Sequence, residues 1–407
     1  MKIWLVLGLI LGVTVAQAGG KPEAPEIGWA TIKNNRPEEK NLDACDVSVG
    51  DGCHLFGLYD GNRSFGSSDI LRTELLADIK YWMSRTTNST EAIVAAFNNL
   101  DGTCNASSPE NGSSAIVGVY SPNEGLTLAY AGLCRAFTIQ RQNNEYRILS
   151  LNEGHTLESN LEQIRIHNIL KGWKPERLGE LIDFYPDEGS RQKAANKKYP
   201  YDGMQRERFK KQLDEISVNT LEDLSRSNSK VITADYVMGF LKGAKAIKDS
   251  RFTRSIGDGI FKDQHALSEI ITYVPHVIEP YLNENSLLVL ISSGLYAAVE
   301  SSLVGSDKSS DAVFKYLRNE IRDAIRVVTD ELRSNQSQEL TDVAARVLAD
   351  LQALHSAKRR YYGDMTLMLV ALPKVQKGQQ DQVQPIQSGS EPATASTADD
   401  DDGVRPY

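Results

Sequence analysis

Cysteine is scarce in this chain, four residues among 407, and beyond the first residues no stretch reaches 18 apolar residues in a row. The first fact limits any disulfide framework to two bridges, and the second leaves no candidate for a membrane-spanning helix. The four cysteines, Cys45, Cys53, Cys104 and Cys134, allow three complete pairings, among which the sequence does not choose. A Cys45–Cys53 bridge across the Gly/Asp loop fits the pattern, as does a buried free thiol at Cys134 inside a strand-like run. Basic clusters are missing too. The net charge is −9, so the chain carries no electrostatic footprint for nucleic acid or an anionic membrane. Also absent are HExxH, the nucleophile elbow GxSxG and the phosphate loop GxxxxGK[ST]. There is no internal repeat.

What is present begins with MKIWLVLGLILGVTVAQAGG, in which Lys2, an apolar run from Ile3 to Val15 and Ala16-Gln17-Ala18 stand in order. That order predicts a secretory signal peptide over 1–18. Tripeptides of the N-x-S/T kind at Asn62, Asn88, Asn105, Asn111 and Asn335 agree with a glycoprotein, secreted or held in the secretory-pathway lumen. If the leader does not function, the location is the cytoplasm. No membrane partner is expected after cleavage.

Residues 19–50 are polar and read as irregular. HLFGLY (54–59) predicts a strand that stops at Asp60-Gly61, and 68–84 a helix capped by Ser68 or Asp69. TEAIVAAFNNL is a second short helix, followed by a Gly/Asn/Ser loop over 101–112. Strands are predicted at 113–120, 126–132, 134–140 and 146–151, with short breaks that pair neighbours antiparallel. A helix over 157–170 follows, then a mixed stretch over 171–250 with candidate helices at 204–216 and 234–247. LLVLIS (287–292) reads as a buried strand, 311–333 and 339–357 as helices, and TLMLVAL (366–372) as the last strand. From 374 to 407 the chain turns rich in Gln, Ser, Pro and Ala and ends in acids, which predicts a disordered acidic tail. The folded unit is 27–373, with sheet packed on sheet and helices outside.

Three acids stand at Gly-containing corners: Asp60 before Gly61, Asp258 in RFTRSIGDGIFK, and Asp364 in GDMTLMLV. Each alone is also a common turn signal. His155, in LNEGHTLES, is a base by type, although a capping or structural role accounts for it more simply. Hard divalent cations need several oxygen ligands, and paired cations need carboxylates from separate strand ends.

Taken in order, these corners resemble the metal-dependent serine/threonine protein phosphatases, the PPM or type 2C family. LFGLYDGNRS resembles V-F-D-G-H-G-G, FTRSIGDGIFK resembles T-R-S-L-G-D, LLVLISSGLYAAV resembles F-L-I-L-A-S-D-G-L-W-D, and GDMTLMLV resembles D-N-I-T-V-I-V-V. NGSSAIVGV, LAYAGLCRAFTI and LSLNEGHTLESNLEQIRI resemble three further family segments. The resemblance implies an α+β, four-layer sandwich of two antiparallel sheets flanked by helices. It also implies two metal ions at one edge that activate a water against phosphoserine or phosphothreonine. It carries metal roles to Asp60, Gly61, Asp258 and Asp364.

The departures run the other way. Ser293 stands where the family has the aspartate of S-D-G, Leu133 where it has that of V-G-D-S-R, and Asn62-Arg63-Ser64 follows the D-G. The early R-x-x-x-E-D segment is poorly matched by Arg36 to Asn41. Each lost acid weakens the hold on a second cation, and jointly the losses should silence hydrolysis. One branch of the family departs similarly: the pseudophosphatase adaptors that bind the TGF-beta-activated MAP kinase kinase kinase. The expectation is therefore a catalytically impaired adaptor or regulatory protein. It holds no cofactor or one weak Mg or Mn, and its partner is a protein, a kinase or a phosphoprotein. The alternative is an active Mg/Mn-dependent protein phosphatase with an altered metal centre.

Overall fold

The computed structural model describes residues 24–33, 41–50, 52–62, 65–86, 88–109, 111–142, 145–156, 159–171, 252–262, 270–280, 286–303, 309–321, 336–357 and 363–372. The expected signal peptide, the candidate helices between 204 and 247, Arg36, Asn335 and the acidic tail lie outside them.

The first half runs β1 (Glu26–Ile32), β2 (Asp43–Gly50), β3 (Cys53–Asn62), α1 (Gly66–Met83), α2 (Ser89–Ser107), β4 (Gly112–Ser121), β5 (Gly125–Ala131), β6 (Arg135–Gln142), β7 (Glu145–Ser150) and α3 (Asn160–Lys171). The second half runs β8 (Ile256–Gly257), α4 (Gly259–Lys262), β9 (His276–Ile278), β10 (Leu287–Ile291), α5 (Ser293–Ser302), α6 (Ser310–Glu320), α7 (Gln336–Ala357) and β11 (Met365–Ala371).

Among the described residues, eleven strands form two sheets. One has the order β1-β11-β10-β6-β7; the other has β2-β3-β4-β5-β9, with β8 added on β4. The strand pairings within both are antiparallel.

Alternate residues of each central strand point to opposite faces, so each sheet feeds two apolar layers. Leu55, Tyr59, Ala115 and Val117 face α1 and α2. Phe56, Leu58, Ile116, Leu128, Leu288, Leu290, Met368 and Val370 meet between the sheets. Phe137, Val289, Ile291, Leu367 and Leu369 face α5, α6 and α7. Helix, sheet, sheet and helix thus stack as four layers around three apolar seams, as the resemblance led one to expect. Among the described residues no helix is long and apolar enough to cross a membrane.

Several expectations are corrected. The stretch 19–50 holds β1 and β2. Five of the seven residues of β1 are buried, on both of its faces, so it lacks the alternation of a half-exposed strand. The β3 strand runs through Asp60-Gly61 to Asn62, because its partner β4 continues alongside as far as Gly112. Neither Ser68 nor Asp69 caps α1. Its N-cap is Phe65, Ser68 bonds the Leu42 carbonyl, and Asp69 pairs with Arg72. Helix α2 runs on through Gly102 to Ser107, because Ile93, Phe97, Leu100 and Cys104 continue one buried stripe.

Strands β5 and β6 are adjacent in sequence but do not pair, since they belong to different sheets. The chain crosses at Gly132, whose φ of 95° is open to glycine and costly for other residues. The Cys45–Cys53 bridge does not form, and none of the four cysteines is in a disulfide. In the β2–β3 hairpin Cys45 faces Leu58 while Cys53 faces Gly50. The five-residue offset from Leu58 to Cys53, at ~3.3 Å per residue, is far beyond disulfide reach. Cys134 is buried, as a free thiol there would be.

Candidate functional site

The ends of β2, β3 and β10 and the start of β11 bring three carboxylates together. Asp43 lies opposite Asp60 in the β2–β3 register. Asp364 precedes β11, which is hydrogen-bonded to β10, and β10 leads into Ser292 and α5. All three acids are buried.

Each carboxylate has an oxygen bound by a protein donor. The Ser293 N–H donates to Asp60 Oδ2 at 2.7 Å. The Leu42 N–H donates to Asp364 Oδ2. Thr366 Oγ1 lies 2.8 Å from Asp43 Oδ2 and 2.9 Å from Thr31 Oγ1. Ser292 and Ser293 both have structural work at this corner. Ser292 is the N-cap of α5, with its Oγ accepting from Leu295 N at 3.5 Å and from Thr366 N at 3.0 Å. Ser293 opens the helix, and its N–H, one of those a helix start leaves unsatisfied, finds Asp60.

Electrostatically the cluster is short of positive charge. Burial lifts Asp43 well above the usual carboxylate range, the charges of Asp60 and Asp364 lift it further, and Thr366 and Ser292 pull it back. Burial also raises Asp60, against the opposing pull of the Ser293 hydroxyl and N–H. The sequence reading missed Asp43. A signal was available: D-G at 51–52 is a two-residue turn signal in the sequence, and a register with Gly50 opposite Cys53 places Asp43 opposite Asp60.

Of the predicted residues, Asp60 and Asp364 come together. Gly61 lies beside them in β3, its N–H donating to Leu42 O at 3.1 Å. Asp258 stands at another corner, with φ 57° and its N–H on Asn111 O at 2.7 Å. Its Oδ2 lies 3.4 Å from Asn62 Nδ2, and its carboxylate occupies the space a side chain at Gly112 would need. Leu133 takes part only through its backbone: its N–H donates to Ser114 Oγ at 3.0 Å and its carbonyl accepts from Arg135 Nη1 at 2.9 Å.

His155 is structural. It is buried, its Nδ1 accepts the Gly132 N–H at 3.1 Å, and its ring stacks on Tyr130 at 4.7 Å. Burial first, then Arg254, lowers its pKa well below the ordinary value, so it is neutral.

The resemblance implies a metal pair at this corner. Among the described residues no group of three or more His, Cys, Asp or Glu side chains is arranged to hold a metal ion. Position 293 supplies a donor to Asp60 where a cation would require another acceptor.

No protein-family profile matches the chain, and no curated protein matches it. Solved structures do. The chain is similar to a serine-threonine phosphatase 2C from Toxoplasma gondii, at 14% identity over 90% of this chain and 99% of that one, with a TM-score of 0.49. It is similar to a phosphatase from a pathogenic strain of Toxoplasma gondii, at 15% identity over 86% and 96%, with a TM-score of 0.49. It is also similar to a sex-determining protein of C. elegans, at 12% identity over 87% and 67%, with a TM-score of 0.50. At such identity the likeness to the C. elegans protein speaks to the fold alone, a sandwich of two antiparallel sheets flanked by helices.

Proposed function

We propose that this chain is a PPM-type, phosphatase-like protein that acts by binding a protein partner rather than by turnover. The observation that carries this reading is the bond from the Ser293 N–H to Asp60. Where the resemblance puts a metal-binding aspartate, the chain has a residue that donates to the neighbouring acid. A helix start then supplies the partial positive charge that a cation would otherwise bring. The motif order and the sandwich architecture support the PPM assignment. The likeness of Asp60-Gly61-Asn62-Arg63 and Ser292-Ser293-Gly294-Leu295-Tyr296 to the adaptor branch supports a kinase or phosphoprotein as partner. The leader expected from the sequence supports the secretory pathway as the location; glycosidase-sensitive mass and release into medium are the results expected, and their absence would favour the cytoplasm.

One observation favours the second reading, an active enzyme with an altered centre. Asp43, Asp60 and Asp364 converge, and no basic side chain is among the groups that shift Asp43 or Asp60. Calorimetry with Mn and Mg, run beside phosphate release from phosphoserine peptides, separates the two. The binding reading expects no tight pair of ions and no enzymic turnover, and Asp60→Asn changes neither. Turnover that Asp60→Asn abolishes would establish the enzyme instead.

A further inference from the structure

Four asparagines of the N-x-S/T tripeptides, at 62, 88, 105 and 111, are among the described residues, and the fold treats them unequally. Three have the carboxamide nitrogen turned onto protein. Asn62 Nδ2 lies 3.4 Å from Oδ2 of Asp258, a fully buried residue. Asn105 Nδ2 donates to Asp101 Oδ2 at 3.1 Å; its Oδ1 is enclosed and stands where a side chain at Gly259 would press on it. Asn111 Nδ2 donates to Ser108 Oγ at 2.5 Å. The hydroxyl of its tripeptide, Ser113 Oγ, is fully buried and donates to the Asp60 carbonyl at 3.1 Å. A sugar on any of these three nitrogens competes with a contact the fold makes.

Asn88 differs. It is exposed, between α1 and α2, and it is the N-cap of α2. Its Oδ1 accepts from Thr90 N at 2.9 Å and from Glu91 N at 3.3 Å. The cap uses only the oxygen, and Nδ2 makes no hydrogen bond among the described residues. Asn88-Ser89-Thr90 is also the one tripeptide of the five with threonine in third place, which serves N-linked transfer better than serine. A glycan is bulky and solubilising, so the folded chain tolerates it where Nδ2 opens to solvent.

We propose that Asn88 is the N-glycosylation site of the folded protein, taken in preference to Asn62, Asn105 and Asn111. The proposal rests on the secretory reading and goes beyond it by naming the residue. The donor is an oligosaccharide on a lipid diphosphate. A bond forms between Nδ2 and the anomeric carbon as the bond from that carbon to the diphosphate oxygen breaks; Nδ2 gives up one proton and the lipid diphosphate leaves. Oδ1 stays in place, so α2 keeps its cap. Transfer acts on the chain before it folds, and the fold then decides which glycosylated chains become native.

The test expresses the full chain in cells with an N-glycosylation pathway, once with its own leader and once with a leader of proven function in place of residues 1–18. The folded product is treated with a glycosidase that leaves aspartate at each site that carried sugar, and its peptides are mapped by mass spectrometry. Conversion is expected at Asn88 and not at Asn62, Asn105 or Asn111. Thr90→Ala should abolish it without disturbing the cap, which uses the Thr90 backbone N–H. No conversion at Asn88 with the substituted leader, or conversion at any of the other three equal to that at Asn88, overturns the proposal. Conversion at Asn88 with the substituted leader alone upholds the site and overturns the secretory reading. The mapping needs no variant, so it stands even if Thr90→Ala impairs folding.

Discussion

At the residue scale, one exchange decides how the carboxylate corner is held together. Ser293 lets a backbone N–H and a hydroxyl both serve Asp60. Ser293→Asp would place a further acid beside Asp43 and Asp60, which burial already raises. We expect a lower melting midpoint in chelator, by about 1–3 kcal/mol of stability, and recovery of that loss with Mn. Equal midpoints for variant and parent in chelator would sink this account of the corner. Glu162 shows the opposite balance. Burial alone would raise its pKa, but hydrogen bonds and charge from Arg165 and Arg254 hold it at about 2. A depressed acid stabilises the fold above its unfolded pKa, ordinarily ~4.3, and that contribution is lost as pH falls toward 2. The contribution at neutral pH is on the order of 3 kcal/mol. Urea unfolding of Glu162→Gln should therefore show lower stability at pH 7 and a shallower loss between pH 5 and 2. Asp60 and Asp364 were legible as residues because each sits in a quoted motif. Asp43 was not, because its importance lies in facing Asp60 across a hairpin.

At the scale of elements, the decisive feature is the crossing between β5 and β6. Gly132 combines a φ of 95° with a close approach to Ser114, onto whose side chain and Cα any Cβ at 132 would fall. Gly132→Ala should cost at least ~2–3 kcal/mol, read as a lower urea midpoint with an unchanged slope. A loss under ~0.5 kcal/mol would mean that the crossing is soft and not a fixed joint. The strands flanking the crossing were legible from apolar runs and short polar breaks. Their separation into two sheets was not, because a short break fits a hairpin and a sheet-to-sheet crossing equally well. The β1 strand was missed for another reason. Its Gly28 packs so tightly on α7 that a Cβ would strike Leu340 and Thr341, and its other face meets the second sheet. A strand covered on both sides shows no period-2 signal.

At the scale of the whole molecule, three apolar seams hold the four layers, and the middle one is made only by pairing the sheets. Phe56 is fully buried in that seam with Leu58, Leu288, Leu290 and Met368. Phe56→Ala should cost ~3–5 kcal/mol, with both sheets losing amide protection together. Protection lost from the six-stranded sheet alone would show the seams to be independent. Alternation and motif order, properties of neighbouring residues, sufficed for the strands between 54 and 151, those at 287–292 and 366–372, and the two-sheet class, and they singled out the acids at 60, 258 and 364. Only the tertiary structure decided that Asp258 meets Asn62 and Gly112, that Asp43 joins Asp60 and Asp364, and that Cys45 and Cys53 stay apart. Each of those depends on distances between residues far apart in the chain, which register and sheet packing set and local pattern does not contain.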